Sequence, residues 1–393
     1  MRYTPKEEIL DRISRLQSQL REHNVDGALI VQNADLFYFS GTVQRAHLFV
    51  PAEGEPVLMV RKDLERARRE SPLDNVVRLD NLRDLPPTLQ ACGYGQPERI
   101  GLELDVLPVN LYFRYRELLA PAHAVDVSPL IRTVRAVKSP YELDLLRAAA
   151  ALNRILFDHV PQFLREGITE VELAGQLEAI YRRQGHQGYV RMRGFNQELV
   201  YGHLLSGWAG GVPSFLDSPT GGTGLNPSFP QSAGRKPIGR NEPVLIDYVA
   251  VLDGYMVDQA RTFCLGSLPE RLVRAYYASL EIQERLKVEA QPGTTAGELY
   301  DLAVRLARAT GFGDHFMGYP EPVTFVGHGL GIELDELPVL ARGSKMTLQE
   351  GMVIALEPKF VFPEGAVGIE NTFVVSTAGL EPLTFYEEQL IYL

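Results

Sequence analysis

Residues 244–263 read VLIDYVAVLDGYMVDQARTF. Two runs of strand-forming residues flank Asp253-Gly254, a pair that favours the two-residue turn of a β-hairpin. Each arm carries one acid in otherwise apolar surroundings, Asp247 and Asp258. With Asp253-Gly254 as the turn, Val249 faces Asp258, and Asp247 lies two residues beyond Val249. Strand side chains alternate between faces, so the two acids share one face and sit diagonally. The stretch IALEPKFVFPEGAVGIENTFVV (354–375) repeats the construction. With Glu364-Gly365 as its turn, Lys359 faces Glu370, and Glu357 lies two residues beyond Lys359 on the same face. A shift of two residues in either turn preserves the shared face.

Four carboxylates on apolar strands repel one another and lose hydration unless positive charge sits among them. Salt bridges are one solution, and Arg261 and Lys359 are the nearest basic residues. The strands are otherwise poor in Lys and Arg, which favours two divalent cations. The diagonal spacing suits carboxylates that bridge metals about 3.5–4 Å apart. His328, in FVGHGLGIELDELP (325–338), is a fifth candidate ligand, with glycines on both sides that permit close backbone approach. One imidazole and four carboxylates form an oxygen-rich set suited to Mn, Co, Fe or Zn.

The rest of the chain sets the frame. Its 393 residues suffice for two or three domains, and 45% hydrophobic with 23% charged residues is ordinary for a globular protein. A formal charge of -11 without a basic patch argues against a nucleic-acid partner. RKDLERARRE (61–70) is mixed in sign and reads as a solvated helix. No apolar run approaches the ~20 residues of a membrane span, and the N-terminus has no signal-peptide core. Cys92 and Cys264 offer no disulfide framework, so a reducing, cytoplasmic location is the expectation.

The chain divides near residue 134, into a first domain over 1–133 and a second over 134–393. In the first, strand-like GALIVQ and PVLMV alternate with helical segments, as in a small α/β domain. The second opens with a helix capped by Ser139, with Pro140 at its first position and Glu142 completing a capping box. An internal repeat follows: 164–185 and 290–311 share Gly-x-Thr-x-x-Glu-Leu, with Thr169/Glu172 matching Thr295/Glu298. Two related α/β halves are expected.

The order Asp247, Asp258, His328 in Gly-His-Gly-x-Gly, Glu357-Pro and Glu370-Asn-Thr resembles the pita-bread metallopeptidases of family M24. That family includes the Xaa-Pro dipeptidases (prolidases), aminopeptidase P, methionine aminopeptidase and the non-metal creatinase. The resemblance spans essentially the whole chain. LDRISRLQSQLREHNVDGALIVQNADLFYFSG is similar to the creatinase/prolidase N-terminal domain, and LIRTVRAVKSPYEL to its junction with the catalytic domain. It implies that Asp247, Asp258, His328, Glu357 and Glu370 hold two divalent metals, and that Glu357 shuttles the proton. A metal-bridging hydroxide would then attack an amide carbonyl.

Two family histidines are replaced. Asp335 stands seven residues after His328, where prolidases carry a histidine in a Val-His-Glu run. Ser214 stands where they carry a histidine after proline, and an extended loop follows it. In the family those histidines bind substrate and steady the tetrahedral intermediate. His203 is a candidate replacement imidazole, Asp335 a candidate acceptor for a substrate amine, and Arg191 and Arg193 candidate partners of a substrate carboxylate. TGGTG (220–224) reads as part of a mobile lid. These readings converge on an α/β metallohydrolase that cleaves an amide bond in a small peptide, with Xaa-Pro as the family default and a homodimer expected. The alternative is a non-peptidase C–N hydrolase or metal-assisted lyase acting on a small zwitterion.

Overall fold

The hairpin forms in the expected register in the computed structural model, which describes residues 2–393: Val249 lies opposite Asp258 and Leu252 opposite Tyr255. Asp253 (φ 48) and Gly254 (φ 87) both adopt the left-handed conformation that its two-residue turn demands. The strands Pro243–Leu252 and Tyr255–Cys264 are joined by Gly202–Ser206 on one side and Ile391–Tyr392 on the other. The helix Pro140–Phe163 packs against both long strands and covers their second face. That cover explains why nearly every residue of the hairpin is buried and its apolar runs are almost continuous.

The duplication is visible in the helices. Thr169 caps Glu170–Arg183 and Thr295 caps Ala296–Ala309, each with a complete capping box to Glu172 or Glu298. Each helix follows a longer one, Pro140–Phe163 or Glu270–Glu289. The later half supplies a five-stranded sheet in the order Glu336–Ala341, Phe325–Gly329, Val353–Leu356, Asn371–Ser376, Gly379–Pro382, and a separate two-stranded ribbon.

That ribbon corrects the expected register. Lys359 pairs with Gly368 and Phe362 with Gly365, so Pro363-Glu364 is the turn and Lys359 does not face Glu370. Proline has no amide to give a ladder, which places Pro363 at the corner rather than in the strand. Leu356 pairs with Asn371 in the neighbouring sheet. Glu357 and Glu370 therefore stand opposite each other where the chain passes from one ladder to the next.

The chain forms two compact units: Met1–Arg135 together with Arg193–Asn196, and Ala136–Met192 with Gln197–Leu393. In the first, six strands lie in the order Val76–Arg78, Val57–Val60, Ala46–Pro51, Gly27–Ile30, Arg99–Leu102, His123–Asp126, with parallel and antiparallel neighbours mixed. Its apolar core gathers Leu29, Phe49, Met59, Leu85 and Ile100. A buried ionic group accompanies it. Asp35 accepts from Arg135 at 2.5 Å and from Arg193 at 2.7 Å, and Arg193 also binds Asp105 at 2.7 Å. No helix among the described residues is long and apolar enough to cross a membrane.

His47, on the second strand of this unit, is buried with Nε2 2.9 Å from the Tyr115 hydroxyl. Burial, aided by Arg61 and Arg45, pulls its imidazole down to about 4. The unfolded chain takes up this proton near pH 6.5, whereas the folded chain refuses it until about pH 4. His47 therefore withdraws stability as pH falls through that window and leaves it unchanged above. Denaturant unfolding at pH 7.5 and pH 5 should show a loss roughly 2 kcal/mol larger in the wild type than in His47→Gln.

Candidate metal centre

Asp247 and Asp258 project from one face of the first hairpin, and the backbone brings the later half to them. Ala260 and Glu370 exchange both backbone hydrogen bonds, each at 3.2 Å, in an isolated bridge. Thr372 reinforces the seam: its hydroxyl donates to the Asp258 carbonyl at 2.8 Å and accepts from the Asp258 amide at 3.0 Å. Asp247, Asp258, His328, Glu357 and Glu370 all line one cavity of about 160 Å³.

His328 lies on Phe325–Gly329, between Val353–Leu356 and Glu336–Ala341. Both flanking glycines are required. A Cβ on Gly327 would meet the Ala355 carbonyl oxygen at 2.6 Å, and one on Gly329 would meet that of Leu337 at 2.2 Å. The imidazole Nδ1 lies 3.0 Å from the Leu334 carbonyl, which assigns the proton to Nδ1 and turns Nε2 toward the carboxylates. The loop that presents Leu334 is fixed by Glu336, which accepts from the Ile332 and Glu333 amides and pairs with Lys138 at 2.9 Å.

One potential ligand atom each from Asp258, His328 and Glu370 lies within 4.8 Å of the others. Glu370 is 1% exposed, and its Oε1 has no hydrogen-bond partner. A buried, unpartnered carboxylate oxygen beside a second acid and an imidazole nitrogen fits a divalent ion. Asp247 and Glu357 belong to the same cluster but are drawn to Lys359. The Lys359 Nζ lies 3.1 Å from Asp247, 2.7 Å from Glu357 and 2.6 Å from Glu370. Arg261, the other nearby cation, turns away and donates to the carbonyls of Ala260, Glu370, Tyr386 and Glu387.

The charges respond as such crowding requires. Burial and the repulsion of Glu370 and Asp247 push Asp258 well above the usual carboxylate range. Burial also raises Glu370, against the pull of Lys359. For Asp247 the burial effect is outweighed by the Lys359 ammonium, which holds it below its ordinary value. Burial acts downward on Lys359, but Asp247, Glu357 and Glu370 outweigh it and raise it well above the ordinary lysine range.

Comparison with known proteins identifies the family. Residues 144–377 match the model of metallopeptidase family M24, and residues 12–137 that of the creatinase/prolidase N-terminal domain. The chain belongs to the M24 metallopeptidases. It is 26% identical over 384 residues to an Xaa-Pro dipeptidase of Pyrococcus furiosus, covering 97% of this chain and 99% of the relative. Among solved structures it resembles an Xaa-Pro dipeptidase from Bacillus anthracis, with a TM-score of 0.83 and 25% identity over 98% of this chain and 100% of that one. The prolidase of Pyrococcus horikoshii gives 0.81 at 25% identity, covering 97% of this chain and 100% of that one. The architecture is thus a creatinase/prolidase-type α/β domain followed by a pita-bread catalytic domain, and the protein is a metallopeptidase of a divalent-metal family.

The remaining expected site residues fare differently in this M24 chain. His203 pairs across the sheet with Asp247 and lines the cavity, its Nε2 2.8 Å from the Thr220 hydroxyl. Burial brings its imidazole down to about 4. Asp335 lines the cavity, its side chain 48% exposed and 3.6 Å from His328 Nδ1. Ser214 is not among the lining residues; its hydroxyl donates to Gln231 Oε1 at 3.0 Å, and Gln231 lines the cavity instead. Arg193 cannot clamp a substrate carboxylate, because its guanidinium is taken by Asp35 and Asp105. Arg191 stacks over Tyr189. The inserted segment borders the cavity through Leu216, Asp217, Ser218 and Pro219. Its TGGTG stretch is no lid: Thr220 is 1% exposed, and a Cβ on Gly221 would strike the Pro213 carbonyl at 2.3 Å.

The sequence places Lys359 on the strand face of Glu357 as a nearby cation, but not as the shared partner of three carboxylates. The signal for its role was available in the period-two spacing that puts Lys359 and Glu357 on one strand face. Asp258→Ala and Glu370→Ala should each leave desalted, manganese-loaded protein without its retained divalent ion. Elemental analysis checks this, and retention at the wild-type level would remove these residues from the ligand set.

Proposed function

We propose that this M24 chain hydrolyses an amide bond in small peptides, in the manner of an Xaa-Pro dipeptidase. The observation that carries the reading is the convergence of Asp258, His328 and Glu370, one unpartnered oxygen included, within a cavity that Asp247 and Glu357 also line. A divalent ion bound there supplies a Lewis acid and lowers the pKa of water. Mn, Co, Fe or Zn suits the oxygen-rich donors. The resemblance implies two ions held by five ligands, but Lys359 competes for three of those carboxylates.

The chain's own residues supply the rest. Glu357 lies 3.7 Å from His328 Nε2 and is anchored by Lys359; by the family resemblance its carboxylate would receive a proton from the attacking water and pass it to the leaving amine. His328 is held in one tautomer by the Leu334 carbonyl, with Nε2 turned toward the carboxylates. His203, the other imidazole on the cavity wall, is the donor available to a developing oxyanion where the two family histidines are replaced. A homodimer is proposed as the working form, and the two unpaired cysteines, Cys92 and Cys264, are compatible with a reducing cytoplasm.

A second reading rests on the altered wall. Asp335, at one of the family-histidine positions, and Asp217, on the inserted segment, line the cavity, so a cationic group would be received there. That favours a C–N hydrolase or metal-assisted lyase acting on a small zwitterion. A panel of Xaa-Pro dipeptides, other dipeptides and N-acyl amino acids, assayed with added Mn, Co or Zn, decides between them. Turnover of Xaa-Pro is the expected result; turnover confined to non-peptide amides would replace it with the second reading. On whichever amide substrate is turned over, His203→Asn should lower kcat about 10²–10³-fold while leaving the retained metal unchanged.

A further inference from the structure

Glu370 divides its two carboxylate oxygens. Oε2 accepts from the Lys359 ammonium at 2.6 Å, while Oε1 is buried and unpartnered beside Asp258 and His328. A carboxylate that bridges two cations uses one oxygen for each. Here one of the two cation positions is already filled by part of the chain itself.

We propose that Lys359 permanently occupies one cation position of the cluster, so that the protein binds a single divalent ion, held by Asp258, His328 and Glu370, in place of the two that five such ligands imply. This rests on the metal dependence proposed above and specifies its stoichiometry. An ammonium has three N–H donors, and three carboxylates converge on this one: Asp247 at 3.1 Å, Glu357 at 2.7 Å and Glu370 at 2.6 Å. Asp247 comes from the earlier half and the two glutamates from the later, so the lysine joins both halves as a bridging ion would.

The lysine is built into place. Its backbone pairs with Gly368, and its carbonyl accepts from the Met317 amide at 2.9 Å. Its stem crosses directly over Gly368: a Cβ there would lie 2.7 Å from Lys359 Cγ. The side chain is 2% exposed, so withdrawing it from the acids would strand a buried ammonium. Charge gives the same answer. Four carboxylates, one ammonium and one divalent ion leave one net negative charge, which the imidazole does not alter when neutral. A second divalent ion would have to enter beside the ammonium and turn the cluster net positive.

The test is stoichiometry. Wild-type protein, Lys359→Arg and Lys359→Ala are dialysed against excess Mn²⁺, and bound Mn is counted by elemental analysis against protein concentration, with circular dichroism to check folding. One Mn per chain is expected in the wild type and in Lys359→Arg, and two in Lys359→Ala. Two Mn per wild-type chain would overturn the proposal, as would a folded Lys359→Ala that still holds one. Should Lys359→Ala not fold, the wild-type count alone decides. Absence of Mn from the wild type would remove both this assignment and the metal-dependent function. One Mn per chain without cleavage of any amide would sink the proposed function and leave the lysine's place standing.

Discussion

Four carboxylates gathered inside a protein repel one another, and the second unit is arranged to hold them together in spite of it. Each half contributes a pair from a hairpin or from the edge of one. The Ala260–Glu370 bridge and the Thr372 hydroxyl tie the two pairs across a backbone seam. Helices capped at Thr169 and Thr295 then back the sheets on either side. A scaffold of this stiffness is what a cation site needs, because ligands free to relax would separate or take up protons.

Where the sequence was legible, one local rule dominated. Asp253-Gly254 admits only one economical turn, so the first hairpin and the shared face of Asp247 and Asp258 followed from it. The capping boxes were legible for the same reason, since their partners lie three residues apart. In the second hairpin the glycine suggests Glu364-Gly365, but Pro363 has no amide for the ladder and the turn falls at Pro363-Glu364. The period-two face survived because the shift was by two. Arg193 was beyond reach altogether: Asp35 and Asp105 lie 158 and 88 residues away in the chain, and only the fold joins them. The glycines of TGGTG signalled freedom in the sequence, but they answer to close packing against Pro213, Ser232 and Phe229.

The cavity wall departs from the family in a consistent direction. Ser214 turns to Gln231, and Asp335 stands beside the His328 loop, so His203 is left as the imidazole outside the ligand set. The lost imidazoles are neutral or cationic donors, and what lines the opening now includes Asp217 and Asp335. On the proposed reading, an acidic rim around a cluster that already carries four carboxylates would favour substrates with a positive end.

Register and electrostatics are linked most closely at Lys359. With the turn at Pro363-Glu364, Glu357 stands opposite Glu370, and Lys359 reaches both from the next position on the same face. A slip of one residue would carry the lysine to the opposite face and leave the acids without their internal cation. A slip of two would move Gly368 from beneath the lysine stem and place a side chain in its path. The ladder, the glycine and the ammonium therefore specify one another. A hairpin that the sequence suggests only as a support for metal ligands carries, by its register, one of the charges that the ligands require.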